Sequence, residues 1–204
     1  MKKRILSCLM ALALCLTLLP TAALAAETAP RRVTLAWTPL ESGKSYVPKE
    51  GGGIKEKTDQ SDANYLTYAD GVLTVHGTVA VNCNNGDGLS FYDGVLTLAG
   101  DGDLTITASS DGSTLTTAEG FSGSITLRSE NRSAVQNVKL ELTTEGDIQI
   151  SSAESNAVNT PQNPVTLKGE TVTIETTADS PVSVSTVVAS SLNVIAGSDV
   201  TIIG

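Results

Sequence analysis

Aromatic side chains make up only 3% of this chain, histidine occurs once and cysteine three times. Each scarcity excludes something. Two of the cysteines, Cys8 and Cys15, fall in the first 25 residues, so removal of that segment leaves Cys83 without an intrachain partner and rules out a disulfide framework. His76 has no second histidine and no neighbouring cysteine to complete a zinc set, and it cannot by itself make a Ser–His–Asp triad. Lys and Arg number 13 against 22 Asp and Glu, for a formal net charge of −9. With no basic cluster interleaved with aromatics, nucleic-acid binding is not expected. After residue 25 no segment keeps a 3.6-residue apolar period, and none is apolar for the roughly 20 residues that a spanning helix needs. Helix is therefore expected to be nearly absent, and so is membrane insertion.

The first residues, Met1 to Arg4, are basic; Ile5 to Leu19 are almost unbrokenly apolar, and Pro20 precedes the small-residue triplet Ala23-Leu24-Ala25. This is the pattern of a secretory signal peptide, residues 1–25, cleaved after Ala25. Its removal leaves 179 residues with a formal charge of −12, enough chain for one domain. The protein is expected to be secreted or held at the surface of a bacterial cell.

An internal repeat decides the architecture. Leu66-Thr67-Tyr68-Ala69-Asp70-Gly71-Val72-Leu73-Thr74-Val75 recurs 23 residues later as Leu89-Ser90-Phe91-Tyr92-Asp93-Gly94-Val95-Leu96-Thr97-Leu98. The pattern continues more loosely as three arms. A first arm alternates apolar and polar at Leu73–Val75, Leu96–Leu98, Ile125–Leu127, Leu140–Leu142, Val165–Leu167 and Leu192–Val194. A second follows a bend bearing Gly and Asp, at Val79–Val81, Leu104–Ile106, Ile148–Ile150, Val172–Ile174 and Val200–Ile202. A third closes a polar heptad on Leu66, Leu89, Leu115, Val135, Val158 and Val182. Alternation of period 2 makes each arm a short strand with one buried face. Three strands per repeat of about 23 residues, in constant order, imply turns that stack in register: an all-β solenoid, a parallel β-helix. The rival reading, hairpins in an antiparallel sandwich, leaves the third arm unexplained.

Residues 26–57 do not share the repeat. Val33 to Trp37 are expected to cover the first turn, whose strand edges would otherwise lie bare, and Gly51 to Lys57 read as a flexible link. Residues 58–204 form the repeat domain, expected to be truncated at Gly204 or continued by another domain.

Candidate site residues are few. Asp87, Asp111 and Glu154 lie in the polar heptads of different turns, so stacking would line their oxygens along one edge, a candidate for calcium, which needs several oxygen ligands at once. Tyr92, facing out if Leu89 and Phe91 face in, is the candidate sugar-stacking ring beside Asp87 and Asp111. Cys83 stands where other turns carry Ser or Thr and serves as a small residue. Arg128, Arg132, Lys139 and Lys168 are the bases available in the repeats, and they form no recognisable constellation.

Gly86-Asp87-Gly88-Leu89, followed by Asp93-Gly94-Val95-Leu96-Thr97-Leu98 and Asp103-Leu104-Thr105-Ile106, resembles the secreted carbohydrate-binding β-helix proteins of anaerobic bacteria, which share the fold of polysaccharide lyases. The resemblance spans roughly Asp62 to Ile202. It implies a right-handed parallel β-helix, calcium as bound ion and plant polysaccharides, including acidic ones, as partners. The family's acidic turn is kept as Gly86-Asp87-Gly88 and Ser110-Asp111-Gly112 and becomes Asn131-Arg132-Ser133 and Glu154-Ser155-Asn156 further on. The expected function is a non-catalytic extracellular module that binds polysaccharide or cell-surface glycan. The alternatives are a structural or adhesin spacer within a larger surface protein, and a calcium-dependent polysaccharide lyase in which a Lys or Arg removes the proton.

Overall fold

Segments in which an aliphatic residue alternates with Thr, Ser, Gln or Asn bury one face and wet the other. In the computed structural model, which describes residues 29–83, 87–177 and 185–204, such segments form strands throughout, and no helix occurs among the described residues. The expected signal segment, residues 1–25, and the expected closing position Val182 lie outside them.

The chain begins with a cap built from hairpins. Strand β1 (Arg32–Leu35) turns back into β2 (Thr38–Pro39). Next, β3 (Lys44–Pro48) pairs antiparallel with β4 (Ile54–Glu56) and with β5 (Tyr65–Ala69), and β5 turns back into β6 (Val72–His76). All antiparallel pairing belongs to this cap. Among the later strands every mutual pairing is parallel, through β7 (Thr78–Asn82), β8 (Leu89–Gly100), β9 (Asp103–Thr107), β10 (Ser110–Thr117), β11 (Ile125–Ser129), β12 (Val135–Gln136), β13 (Lys139–Thr143), β14 (Ile148–Ser152), β15 (Val158–Thr176) and β16 (Val187–Ile203), while β8 also takes β1 antiparallel and β6 parallel from the cap. The protein is a parallel β-helix of about five turns. The sandwich is excluded.

Three columns run along the coil. The first stacks Leu96, Leu115, Leu140, Val165 and Leu192; the second Val79, Leu104, Ile125, Ile148, Val172 and Val200; the third Leu89, Ser110, Val135, Val158 and Val187. Except on the last turn and at Ser110, these inward positions are aliphatic and at most 1% exposed, and they form one continuous core.

The register corrects several expectations. Leu115, expected to close a third arm, belongs to the first column, and Ile125, expected in a first arm, belongs to the second. The misassignment has a physical source: the third-column position just before Leu115 is Ser110, buried but polar, and it carries no apolar signal. Leu66 does not stand over Leu89. Its strand β5 folds back on β6 through Asp70-Gly71, whose φ angles of 47° and 85° make a two-residue hairpin turn. The equivalent Asp93-Gly94 lies inside continuous β8, where the chain rounds a corner between the third and first columns. One decapeptide thus adopts two topologies. The cap extends through His76, and the expected flexible link, Gly51 to Lys57, holds the turn between β3 and β4, in which Gly51, Gly52 and Gly53 all have positive φ, and β4 itself. β1 does cover the third-column edge, Val33 opposite Phe91 and Leu35 opposite Leu89. Trp37 does not share in this. It stands past the end of β1, 68% exposed.

The corner between the first and second columns is a stack of glycines, Gly77, Gly102, Gly123, Gly146 and Gly169. A Cβ on Gly102 would lie 2.3 Å from the Gly77 carbonyl oxygen, and one on Gly123 would lie 1.8 Å from that of Gly102. The bend is tight because successive backbones touch there. Beside it, side chains tie one turn to the next: Asp103 accepts from the Ser124 amide at 2.9 Å, and Asp147 from the Thr171 amide at 3.1 Å.

Candidate functional site

The corner between the second and third columns varies in length, and that variation opens a recess. In the first turn it runs from Cys83 to Gly88 and in the third from Glu130 to Ala134, whereas in the second only Ala108 and Ser109 separate β9 from β10. A short corner between two long ones leaves a cleft of about 530 Å³. Asn82 and Asp87 line it from the first turn, Ser109 from the second, Glu130, Asn131 and Arg132 from the third, and Trp37 from the cap. Arg132 Nη1 lies 3.3 Å from Asp87 Oδ1, so the ion pair spans the short turn and joins the two long ones.

Trp37 is placed by the cap. The β1–β2 turn consists of Ala36 and Trp37, with φ of 49° and 66°, and the Ala36 amide donates to the Gly88 carbonyl at 2.8 Å. That bond ties the turn to the corner that carries Asp87. Two non-glycine residues with positive φ in one turn is an uncommon arrangement, found where surrounding structure enforces it. Here the pairing of β1 with β8 on one side and β2 on the other does so.

The residues expected at a site are placed as follows. Tyr92 faces outward, 48% exposed, and its hydroxyl donates to Asp111 Oδ2 at 3.2 Å. Burial first, then the Asp111 carboxylate, pushes the Tyr92 phenol above its ordinary range. Asp111 also accepts from Asn137 Nδ2 at 3.2 Å. Asp87 lies in the cleft with Arg132, and Glu154 lies exposed in the corresponding corner of a later turn. Asp111 is in neither corner: it sits within β10, paired with Ser90 and Gln136. The expected line of three carboxylates is broken because the short second corner draws Asp111-Gly112 into the strand. Gly112 is needed there, since a Cβ would meet the Phe91 ring at 2.9 Å. The three carboxylates expected to hold calcium do not come together. Asp87 is engaged by Arg132 and Asp111 by Tyr92 and Asn137, and no group of three acidic, histidine or cysteine side chains gathers among the described residues.

Cys83 lines the cleft but is buried, and burial pushes its thiol up to about 11. It is a protonated small residue at neutral pH, without nucleophilic character. The other aromatics are occupied. Tyr46, Tyr68 and Phe121 are buried, and Tyr65 stacks on His76 with ring centroids 4.3 Å apart and Lys57 over its face. Sequence reasoning missed Trp37 and Arg132 as cleft residues. Nothing local marks Ala36-Trp37 as a turn, since neither residue is Gly, Asn or Asp. Arg132 gains its partner only from the stacking of turns.

Fold and recess together define a β-solenoid with a lateral polar cleft under an exposed indole. No family model, curated protein or solved structure matches the chain.

Proposed function

We propose that the protein is a non-catalytic, exported β-helix module that binds carbohydrate in the Trp37 cleft. Trp37 carries this reading: a large ring 68% exposed, held by a turn that is bonded to the adjoining corner, beside a recess lined with amides, hydroxyls and an ion pair. Sugar recognition requires that pairing. The apolar face of a pyranose stacks on an indole, and its hydroxyls exchange hydrogen bonds with groups such as Asn82, Asn131, Asp87 and Arg132. A cleft of about 530 Å³ lies within the usual range of small-ligand sites and takes a short oligosaccharide segment. The Asp87–Arg132 pair suits vicinal hydroxyls, since carboxylate accepts and guanidinium donates. Arg132, the guanidinium lining this cleft, is engaged by Asp87, so the Lys or Arg that the lyase reading needs is not free among the residues lining it.

The test is retention on pectin, cellulose and mucin preparations and on a glycan array, followed by calorimetry on the best ligand. Trp37→Ala should weaken binding about fivefold, equivalent to the roughly 1 kcal/mol of an aromatic contact. Absence of retention on every preparation would remove the carbohydrate reading and leave the spacer, which is favoured by the unbroken columns. Those make the coil a stiff rod whatever its cleft does.

A further inference from the structure

Among the described residues, the charged side chains that line the Trp37 cleft are Asp87, Glu130 and Arg132. Asp87 and Arg132 offset one another at 3.3 Å. Glu130 is exposed and enters none of the ion pairs formed among the described residues. The uncompensated charge of the cleft is therefore a carboxylate. Its place in the chain is fixed on both sides. β11 ends at Ser129, whose hydroxyl accepts from the Arg132 amide at 3.3 Å, and the Ser152 hydroxyl of the following turn donates to the Arg132 carbonyl at 2.9 Å. Glu130 stands between the strand end and that clamp, so its backbone is ordered before a ligand arrives.

The surroundings carry the same sign. Glu154 follows two places after Ser152, which pairs with Ser129, and so lies in the corner that succeeds the one holding Glu130. On the other flank, burial first and then the carboxylates of Asp111 and Asp87 push the Tyr92 phenol up. Arg128, exposed on β11, does not line the cleft. The indole face is open to a cation as well: among the described residues the cation held over a ring is Lys57, on Tyr65. An indole attracts a cation more strongly than the other aromatic rings do.

We propose that the cleft prefers sugars bearing a free amino group, the 2-amino-2-deoxy hexoses and their oligomers, over neutral sugars and over uronates; this rests on the carbohydrate reading of the same cleft and names its ligand class. The ammonium donates to the Glu130 carboxylate while the pyranose face lies on Trp37, whose ring also draws the positive charge. A neutral sugar gains the stacking and leaves Glu130 unused. A uronate fares worst. To reach the Arg132 guanidinium its carboxylate must come beside Asp87, whose own oxygen is 3.3 Å from that guanidinium, and carboxylates sharing a site repel.

Trp37 is the single tryptophan of the chain, so its fluorescence in the native protein reports on this cleft. It is titrated at low ionic strength with oligosaccharides of equal length: a glucosamine oligomer, its N-acetylated form, a cello-oligosaccharide and an oligogalacturonate. The free amine should bind about tenfold more tightly than the acetylated and neutral chains, the lower end of what a hydrogen bond to a charged group contributes, and the uronate most weakly. Added salt should shrink that preference. Glu130→Gln, at an exposed position, should keep the circular dichroism spectrum and the affinity for the neutral chains and lose the tenfold, whereas Glu154→Gln should retain it. A ring-free diamine should not displace the sugar. The proposal is overturned, with carbohydrate binding still standing, by equal affinity for free and acetylated amines, by a uronate bound as tightly as the amine, by a preference that survives Glu130→Gln or disappears in Glu154→Gln, or by displacement with the diamine. A fluorescence signal unmoved by all of these oligosaccharides, together with an empty glycan array, removes both readings.

Discussion

Gly123→Ala puts the stacked-glycine corner to the test. The added methyl would lie 1.8 Å from the Gly102 carbonyl oxygen, 2.4 Å from its carbonyl carbon and 3.1 Å from the Asp103 nitrogen. All three are backbone atoms, so no side chain can swing away and the turns must part. Parting them strains the Leu104 amide to Ser124 carbonyl bond of 2.9 Å and the Ser124 amide to Asp103 carboxylate bond of 2.9 Å, each worth about 1 kcal/mol net. Overpacking a close-packed site adds a further 1–3 kcal/mol or so. In the other direction, replacing glycine stiffens the unfolded chain and returns about 0.4–1 kcal/mol, because Gly123 does not need a positive φ. The net expectation is a loss of about 3 kcal/mol, or a melting temperature lower by roughly 6–12 °C. Gly120→Ala is the control. Gly120 has φ of 79° but nothing within 4 Å of its added Cβ, so only the left-handed backbone penalty of about 1 kcal/mol applies. Urea unfolding followed by far-ultraviolet circular dichroism compares the two. If Gly123→Ala proves as stable as Gly120→Ala, the corner does not rest on contact between backbones.

Two further substitutions probe the core. Ser110 is 1% exposed in a column of aliphatic residues, and its hydroxyl has no hydrogen-bond partner; Ser110→Ala should therefore raise stability by about 1 kcal/mol in the same urea assay, and a loss would mean that the hydroxyl is bonded. Cys83, pushed up to about 11 from an ordinary 9.0, should resist alkylation at pH 8 until the chain is unfolded. Its folded value lies above its unfolded one, so its contribution to stability is complete below about pH 9 and fades as pH rises through 11. Cys83→Ser should lack that part of the alkaline decline, and identical profiles for the two proteins would contradict the burial argument.

The coil was legible because its evidence is periodic. Alternation at Leu140–Leu142, Ile148–Ile150, Val165–Leu167 and Val172–Ile174 recurs at nearly constant spacing, and the parallel register follows it residue for residue. Legibility failed where a turn changes length. The short corner at Ala108-Ser109 displaced Asp111 from the edge expected to hold Asp87, and a polar Ser110 hid the third column. Trp37 reads as part of a covering strand because a two-residue turn without glycine has no sequence signal. The ion pair of Arg132 with Asp87 links positions 45 residues apart. Only the pitch of the coil makes them neighbours.

The duplicated decapeptide bears on how this molecule reaches its native state. A segment that can close as a local hairpin does so quickly, whereas rounding a corner onto a distant neighbour requires that neighbour to be in place. Residues 65–76 form such a local hairpin. Residues 89–98 must decline it, and β1, zipped along Leu89 to Tyr92, occupies the edge that a fold-back would need. Deletion of residues 29–35 is therefore expected to slow refolding, as followed by far-ultraviolet circular dichroism after dilution from urea; an unchanged rate would show that β1 does not guard this corner.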